Sequence, residues 1–296
     1  MRNILLWAVY ISDHFVGCIH RTMGGHLIMT VETLASKAAR SIKKLNKTLK
    51  KSKVRMFVIE ILSSCCGKED LPYHNMYHTY EVFKFATELL KYFKNFTPQQ
   101  RTLVQVAALC HDYGHFGVSN RDWLEDSHNS FTSGISMESW ASLLSITESY
   151  NEVMHIDCAM NVIKVYKKYL FPQFHLSDVE SYITGIIMST DLKHHDSYCD
   201  RLASVKGTLN DMIWIIKTSD LSHFFSDFRT HSYWVYRIHR EMNGEVVPSA
   251  QYLADDTIFF CNRYVLPMVQ LAKDDACHRD LGDRLARNMG IWRLHA

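Results

Sequence analysis

Glycine and proline are scarce in this 296-residue chain, at 12 and 5 residues. That argues against collagen-like, low-complexity and sandwich-type chains, which need many tight turns. Charge of one sign is also missing: Lys and Arg number 33 against 31 Asp and Glu. There is no global basic excess to attract nucleic acid and no strong acidic bias. No apolar run approaches the ~20 residues of a membrane helix. Residues 4–11 are apolar, but Ser12, Asp13 and His14 interrupt at once and no small-residue cleavage site follows, so a packed terminal helix is expected. Internal repeats of solenoid length and Pro- or Ser-rich linkers are absent. The eight cysteines form no disulfide framework. Cys110, Cys158 and Cys261 fall inside periodic segments and Cys65-Cys66 is too close a pair for an ordinary bridge, so buried thiols of a cytoplasmic protein are expected.

What is present is apolar periodicity. Hydrophobic residues make up 47% of the chain, enough for a substantial core. Val82, Phe85, Ala86, Leu89 and Phe93 follow the i, i+3, i+4, i+7 pattern of an amphipathic helix. His74 and His78 lie at its start, four apart and hence expected on one helical face. Thr97-Pro98 is a helix-start signal, leading through residues 103–110 to His111. Further helices are predicted over 152–169, from Ser177-Asp178 through Ile183, Ile186 and Ile187 to Thr190-Asp191, over 209–220 and 233–242, from Pro248-Ser249 through Phe260, and on to Trp292. Residues 129–136 read as a polar loop. Residues 37–55 carry nine Lys or Arg and no acid, with Ile42, Leu45 and Leu49 at helical spacing, which reads as one solvated helix face. Strand-like alternation is scarce, so the predicted fold class is all-α.

The chemistry lies in two short patches, His74-Asn75-Met76-Tyr77-His78 and His111-Asp112-Tyr113-Gly114-His115, with a distant carboxylate in Ser219-Asp220-Leu221-Ser222 after the apolar run 212–216. His78, His111, Asp112 and Asp220 together offer two imidazoles and two carboxylates, a donor set for a zinc-like ion that keeps positions open to water. The second oxygen of Asp112 can bridge to a harder ion such as magnesium or manganese. His74, near the site but not needed as a ligand, is placed to protonate a departing oxygen. For His14, His20, His26, His128 and His278, the expected role is surface or hydrogen-bonded core, as for most of the 17 histidines.

In their order these patches resemble the class I cyclic nucleotide phosphodiesterases. Residues 73–78 resemble that family's Y-H-N-x-x-H, and residues 111–120 its H-D-x-x-H-x-G-x-x-N. Glu152 and His155 are similar to its E-N-H-H block, with Met154 in place of the first His. Thr190-Asp191 with His195 resembles T-D-M-S-K-H, and Ser219-Asp220-Leu221-Ser222 resembles A-D-L-S. Trp234, Phe260, Pro267, Asn288 and Trp292 fall where the family has the same residues, so the resemblance covers roughly residues 50–292. It implies a compact multi-helix catalytic domain of about sixteen helices with an HD-type metal site. It implies a first metal, usually zinc, on His78, His111, Asp112 and Asp220, and a second, usually magnesium, that Asp112 also reaches. Residues matching His115, Glu152 and Thr190 would hold waters of the second ion, with Asp191 in the same surroundings. His74 would be the general acid in opening a 3′,5′-cyclic nucleotide (cAMP or cGMP) to the 5′ monophosphate.

The base-binding half departs from the pattern. Thr257 stands at the family's glutamine position, three residues before the stacking Phe260, and a hydroxyl cannot repeat an amide's two-point contact. His223-Phe224 replaces the usual Asn-Pro, and His231 a usual tyrosine, while Trp234 and Ile238 stay apolar. His223, Trp234, Ile238, Thr257 and Phe260 are thus the expected substrate-binding residues. Residues 1–50 are expected to form a helical extension and 51–296 the catalytic domain, in a cytoplasmic protein with a cyclic nucleotide substrate and without nucleic acid or a membrane span. Nothing in the sequence specifies an oligomeric state. Two rival readings are another HD-type metal-dependent phosphohydrolase and a non-catalytic regulatory module.

Overall fold

The computed structural model describes residues 30–66, 71–115, 148–244 and 246–296, with 138, 139 and 142 besides. The helix expected over 4–11 and the loop expected over 129–136 lie outside the described residues. So do residues 116–120 of the second motif and His14, His20, His26 and His128.

Twelve α-helices occur among the described residues, and no strand. They are α1 (Val31–Leu45), α2 (Lys51–Cys66), α3 (Met76–Leu89), α4 (Pro98–Cys110), α5 (Tyr150–Leu170) and α6 (Leu176–Ile187). After them come α7 (His195–Ser204), α8 (Thr208–Asp220), α9 (Phe228–Asn243), α10 (Ala250–Phe260), α11 (Leu266–Gln270) and α12 (Asp275–Trp292). Short 3-10 turns cover Leu90–Tyr92, Met188–Thr190, Leu192–His194 and Ser222–Phe225. A π turn, Cys261–Val265, joins α10 to α11 just before Pro267, whose missing N–H and bulky ring interrupt the regular ladder.

The basic stretch 37–55 is two helices, not one face. Asn46 ends α1, where its buried side chain accepts from the Thr48 hydroxyl at 2.6 Å and donates to Thr102 Oγ1 at 3.1 Å. Lys43 closes the turn by donating to the carbonyls of Lys47 and Leu49. An asparagine that bonds locally in this way competes with the helix, and here it wins.

Two helices are buried nearly all round: α4 from Thr102 to Cys110, and α8 from Met212 to Ser219. Such helices need no polar face because neighbours cover every side. α8 packs against α3, α4, α6, α7 and α11. Their ends are fixed individually. Thr97 and Gln100 form a reciprocal capping box at the start of α4. Arg101 donates to the carbonyls of Leu90, Phe93 and Phe96, satisfying the chain that leaves α3. The functional side chains sit where these buried helices stop.

Candidate active site

His111 follows the last residue of α4, Asp112 comes next, and Asp220 is the last residue of α8. Both helix ends carry the negative pole of their backbone dipoles, which favours a cation. His78 arrives from the first turn of α3. Asn75 caps that helix, accepting from the N–H groups of Tyr77 at 2.9 Å and His78 at 3.3 Å. The helix therefore begins after His74, which lies outside it rather than on a shared face as its spacing suggests. The His74 ring nevertheless ends 5.9 Å from that of His78.

The four expected donors converge. His78 Nε2 lies 3.3 Å from Asp112 Oδ2 and 3.2 Å from Asp220 Oδ1. His111 Nε2 lies 3.0 Å from Asp112 Oδ2, 3.4 Å from Asp220 Oδ1 and 3.4 Å from His78 Nε2. Four ligands about 2.0–2.1 Å from a tetrahedral ion would stand about 3.3–3.4 Å apart, so the spacing fits one small cation. The protonation pattern agrees. His111 Nδ1 sits 3.0 Å from the Ala108 carbonyl, which can only accept, so the proton is on Nδ1 and the lone pair of Nε2 faces the cluster. Asp112 Oδ2 is buried there without a hydrogen bond. Lone pairs meeting in a buried space are stabilised by a positive charge between them, whether a proton or a metal ion. All four donor atoms lie within 4.8 Å of one another, a group able to hold a metal.

Without a metal the cluster would hold protons. Burial acts to lower the His111 pKa, but the neighbouring Asp112 and Asp220 carboxylates raise it well above the ordinary value. Burial acts to raise the Asp112 and Asp220 pKa values, and the two imidazoles instead hold both well below the usual carboxylate range.

Asp112 turns its other oxygen the opposite way, 4.0 Å from His155 Nδ1. Burial lowers the His155 pKa to about 4, keeping that ring neutral. Glu152 lies one turn earlier on α5. Glu152, Asp191 and Asp220 all act electrostatically on Lys217, whose pKa burial lowers to about 8 and whose ammonium donates to the Ser189 carbonyl at 2.7 Å. Asp191 accepts from Ser149 Oγ at 2.5 Å and from the Lys193 N–H at 2.8 Å, and the Thr190 hydroxyl donates to the Ile187 carbonyl.

His115 stacks on His74 with ring centroids 4.1 Å apart, a placement that depends on Gly114. Gly114 has φ +88°, and a Cβ there would lie 2.7 Å from Cys158 Sγ. Gly114→Ala is expected to cost about 1–2 kcal/mol in backbone strain and roughly 1–3 kcal/mol in overpacking. Chemical denaturation of Gly114→Ala beside Gly114→Ala/Cys158→Ala checks this, since the second change relieves only the packing part.

Reasoning from sequence missed Glu241. Its side chain, 9% exposed, pairs through Oε1 with His74 Nδ1, while Oε2 accepts from the N–H groups of Tyr73 at 2.6 Å and His74 at 3.1 Å. Burial acts to lower the His74 pKa, but the hydrogen bond to Glu241 raises it above the ordinary value. No motif marks this acid, 167 residues from its partner.

Of the expected substrate-binding residues, His223, Trp234 and Phe260 belong to a chain of ring contacts that reaches His78. Tyr73 packs 4.4 Å from His78, 6.1 Å from His223 and 5.5 Å from Trp234, centroid to centroid. Phe224 lies parallel to Phe260, 5.6 Å away. Ile238 is half-buried one turn past Trp234, and Thr257 is buried one turn before the π turn.

The model of the 3′5′-cyclic nucleotide phosphodiesterase family matches residues 73–274, which hold all four donors together with His74 and Glu241. The chain belongs to this family. Members are metal-dependent, in keeping with the His/Asp cluster. The chain is 25% identical over 218 residues to the cGMP-specific 3′,5′-cyclic phosphodiesterase alpha of Plasmodium falciparum, a match covering 64% of this chain and 20% of that protein. It is 25% identical over 189 residues to the 3′,5′-cyclic-nucleotide phosphodiesterase 2 of Saccharomyces cerevisiae, covering 58% of this chain and 30% of that one. It thus spans a third or less of these relatives' length. The fold matches the phosphodiesterase domain of the RhoPDE fusion protein from the choanoflagellate Salpingoeca rosetta with a TM-score of 0.74 at 19% identity, covering 93% of this chain and 98% of that domain.

Proposed function

We propose that this phosphodiesterase chain hydrolyses a 3′,5′-cyclic nucleotide, cAMP or cGMP, to the 5′ monophosphate. The observation that carries the reading is the cluster of His78, His111, Asp112 and Asp220, spaced as ligands to one ion, with the His74–Glu241 pair beside it. These four residues would hold a zinc ion, and Asp112 would also reach a magnesium or manganese ion whose waters His115, Glu152 and Thr190 would hold, with Asp191 in the same surroundings. When bound, two such ions supply an activated water and charge neutralisation at the phosphoryl group.

The chain's own residues do the rest. In the balanced reaction water adds to phosphorus, the P–O3′ bond breaks, and O3′ takes a proton. His74 is the donor: Glu241 holds Nδ1, so Nε2 faces outward, and the carboxylate keeps the ring protonated at higher pH than burial alone would allow. Tyr73, His223, Trp234, Ile238, Thr257 and Phe260 would receive the base. Residues 51–296 would form the catalytic domain and 1–50 a helical extension, in the cytoplasm. Cys199, Cys261 and Cys277 are free thiols, and no helix among the described residues is long and apolar enough to cross a membrane.

A turnover assay on both nucleotides, with chelator and metal add-back, tests the reading. Chelation is expected to abolish turnover and zinc with magnesium to restore it; no hydrolysis of either nucleotide in the loaded protein would overturn it. A second readout is thermal. Below the ordinary histidine pKa the metal-free protein keeps the stabilisation from protonated His111, and loses it as pH rises through the raised value. Metal competes with that proton, so the rise in Tm on loading is expected to grow with pH over the same range.

A further inference from the structure

We infer that the end of the molecule built from the α1–α2 turn and the last turns of α5 docks on an anionic phospholipid surface. The inference stands apart from the cyclic nucleotide reading. Residues 37–55 and 164–175 together hold twelve Lys or Arg and no Asp or Glu, which leaves 21 basic against 31 acidic residues in the rest of the chain. The near-neutral total therefore hides a strongly polarised charge distribution, and such asymmetry points to a charged partner.

The fold joins the two segments. α2 and α5 run antiparallel where they touch: Phe57 meets Tyr166 with ring centroids 5.7 Å apart, and one turn further out Lys53 Nζ lies over the Tyr169 ring at 5.3 Å. Lys168 Nζ lies over that same ring at 5.0 Å. Lysines from two distant segments thus share one aromatic ring. Elsewhere exposed lysines find acids: Lys84 pairs with Glu81, Lys193 with Glu148 and Lys273 with Asp211. Among the described residues, Lys47, Lys50, Lys51, Lys167 and Lys168 are in no ion pair. Nor does folding call for all of them. The first turn of α2 has no acid and carries Lys51 and Lys53, where the positive pole of the helix dipole disfavours a cation. Like charges crowded there oppose the folded state until a partner supplies negative charge.

The chemistry of the face selects the partner. Ten of the twelve residues are lysines, compact point charges suited to a diffuse anionic layer. Arginine, whose planar fork grips nucleic acid, supplies only Arg40 and Arg55, and Arg55 is spent on Ser36 Oγ at 3.0 Å. Apolar tips stand among the ammonium groups. Met56 is 47% exposed with its sulfur 3.9 Å from Lys53 Nζ, and Val165 is 66% exposed one turn before Tyr169. At a bilayer such tips enter the headgroup boundary while the lysines meet lipid phosphates. A polyanion in water gains nothing from them.

The test is co-sedimentation of the 296-residue chain with vesicles of phosphatidylcholine containing about 30% phosphatidylserine, beside pure phosphatidylcholine. Binding is expected to the anionic vesicles alone, falling at least about tenfold between roughly 0.1 M and 0.5 M salt. Lys47→Gln/Lys50→Gln/Lys51→Gln should weaken partition about a hundredfold, at roughly fivefold per charge, with circular dichroism unchanged and Tm equal or higher. The same loss of charge placed elsewhere, in Lys84→Gln/Lys206→Gln/Lys273→Gln, should leave partition within about twofold. Met56→Ser/Val165→Ser should weaken it about tenfold. Equal weakening by the two lysine triples, a lowered Tm in the first, or no preference for anionic vesicles would overturn the inference. So would tighter binding to duplex RNA than to the vesicles at matched phosphate concentration, which would mark a nucleic-acid face instead.

Discussion

Asp220→Ala is expected to lower turnover at least a thousandfold and to leave the protein unable to retain its tightly held metal through dialysis. Two neutral imidazoles and two carboxylates balance the charge of a divalent ion; removing Asp220 leaves one negative charge against two positive. The same atom, Oδ1, stands 3.2 Å from His78 Nε2 and 3.4 Å from His111 Nε2, so its loss opens the one side of the cluster built by α8. A thousandfold loss corresponds to about 4 kcal/mol of transition-state stabilisation. Metal content by elemental analysis, circular dichroism and turnover on the same preparation separate the possible causes. Folded protein with less metal and no activity is the expected combination; full activity would mean that Asp220 is not a ligand. Asp220→Asn keeps an oxygen in place without the charge, and intermediate metal retention is expected from it.

The helices and the four candidate donors that the fold brings together were legible in the sequence for the same reason: both are written over short distances. Residues 111 and 112 are adjacent, His78 stands four residues from His74, and the apolar run 212–216 announces the helix that ends at Asp220. Ser249 and Thr97 mark their helix starts by side chains that bond within three residues. Long-range pairings left no such mark. Glu241 reaches His74 only because α9 meets the segment just before α3, and Trp292 reaches His231 only because α12 packs on α9. Lys217 drew no attention in the sequence, yet its ammonium is buried, donates to the Ser189 carbonyl and feels the charges of Asp220, Asp191 and Glu152. The position of His74 was misread from spacing because the cap at Asn75 outweighs the four-residue period. The break at Asn46 escaped notice because neither glycine nor proline makes it.

His74→Ala should reduce kcat by roughly a hundred- to ten-thousandfold while leaving metal content unchanged, the range expected for losing a general acid. The ring is not among the four donors, so the metal is retained where Asp220→Ala loses it. Glu241→Gln refines the test. Glutamine still offers one oxygen to the N–H groups of Tyr73 and His74, which keeps the loop before α3 in place, but it lacks the charge that raises the His74 pKa. A proton donor with a lowered pKa is lost at lower pH, so the alkaline limb of the kcat/KM profile should move toward acid, while the acid limb stays. A profile that keeps its alkaline limb in Glu241→Gln would show that some group other than His74 delivers the proton to O3′. A substrate carrying a better leaving group at the 3′ position sharpens the distinction. It needs less help from an acid, so it should recover much of the activity of His74→Ala and none of that lost in Asp220→Ala.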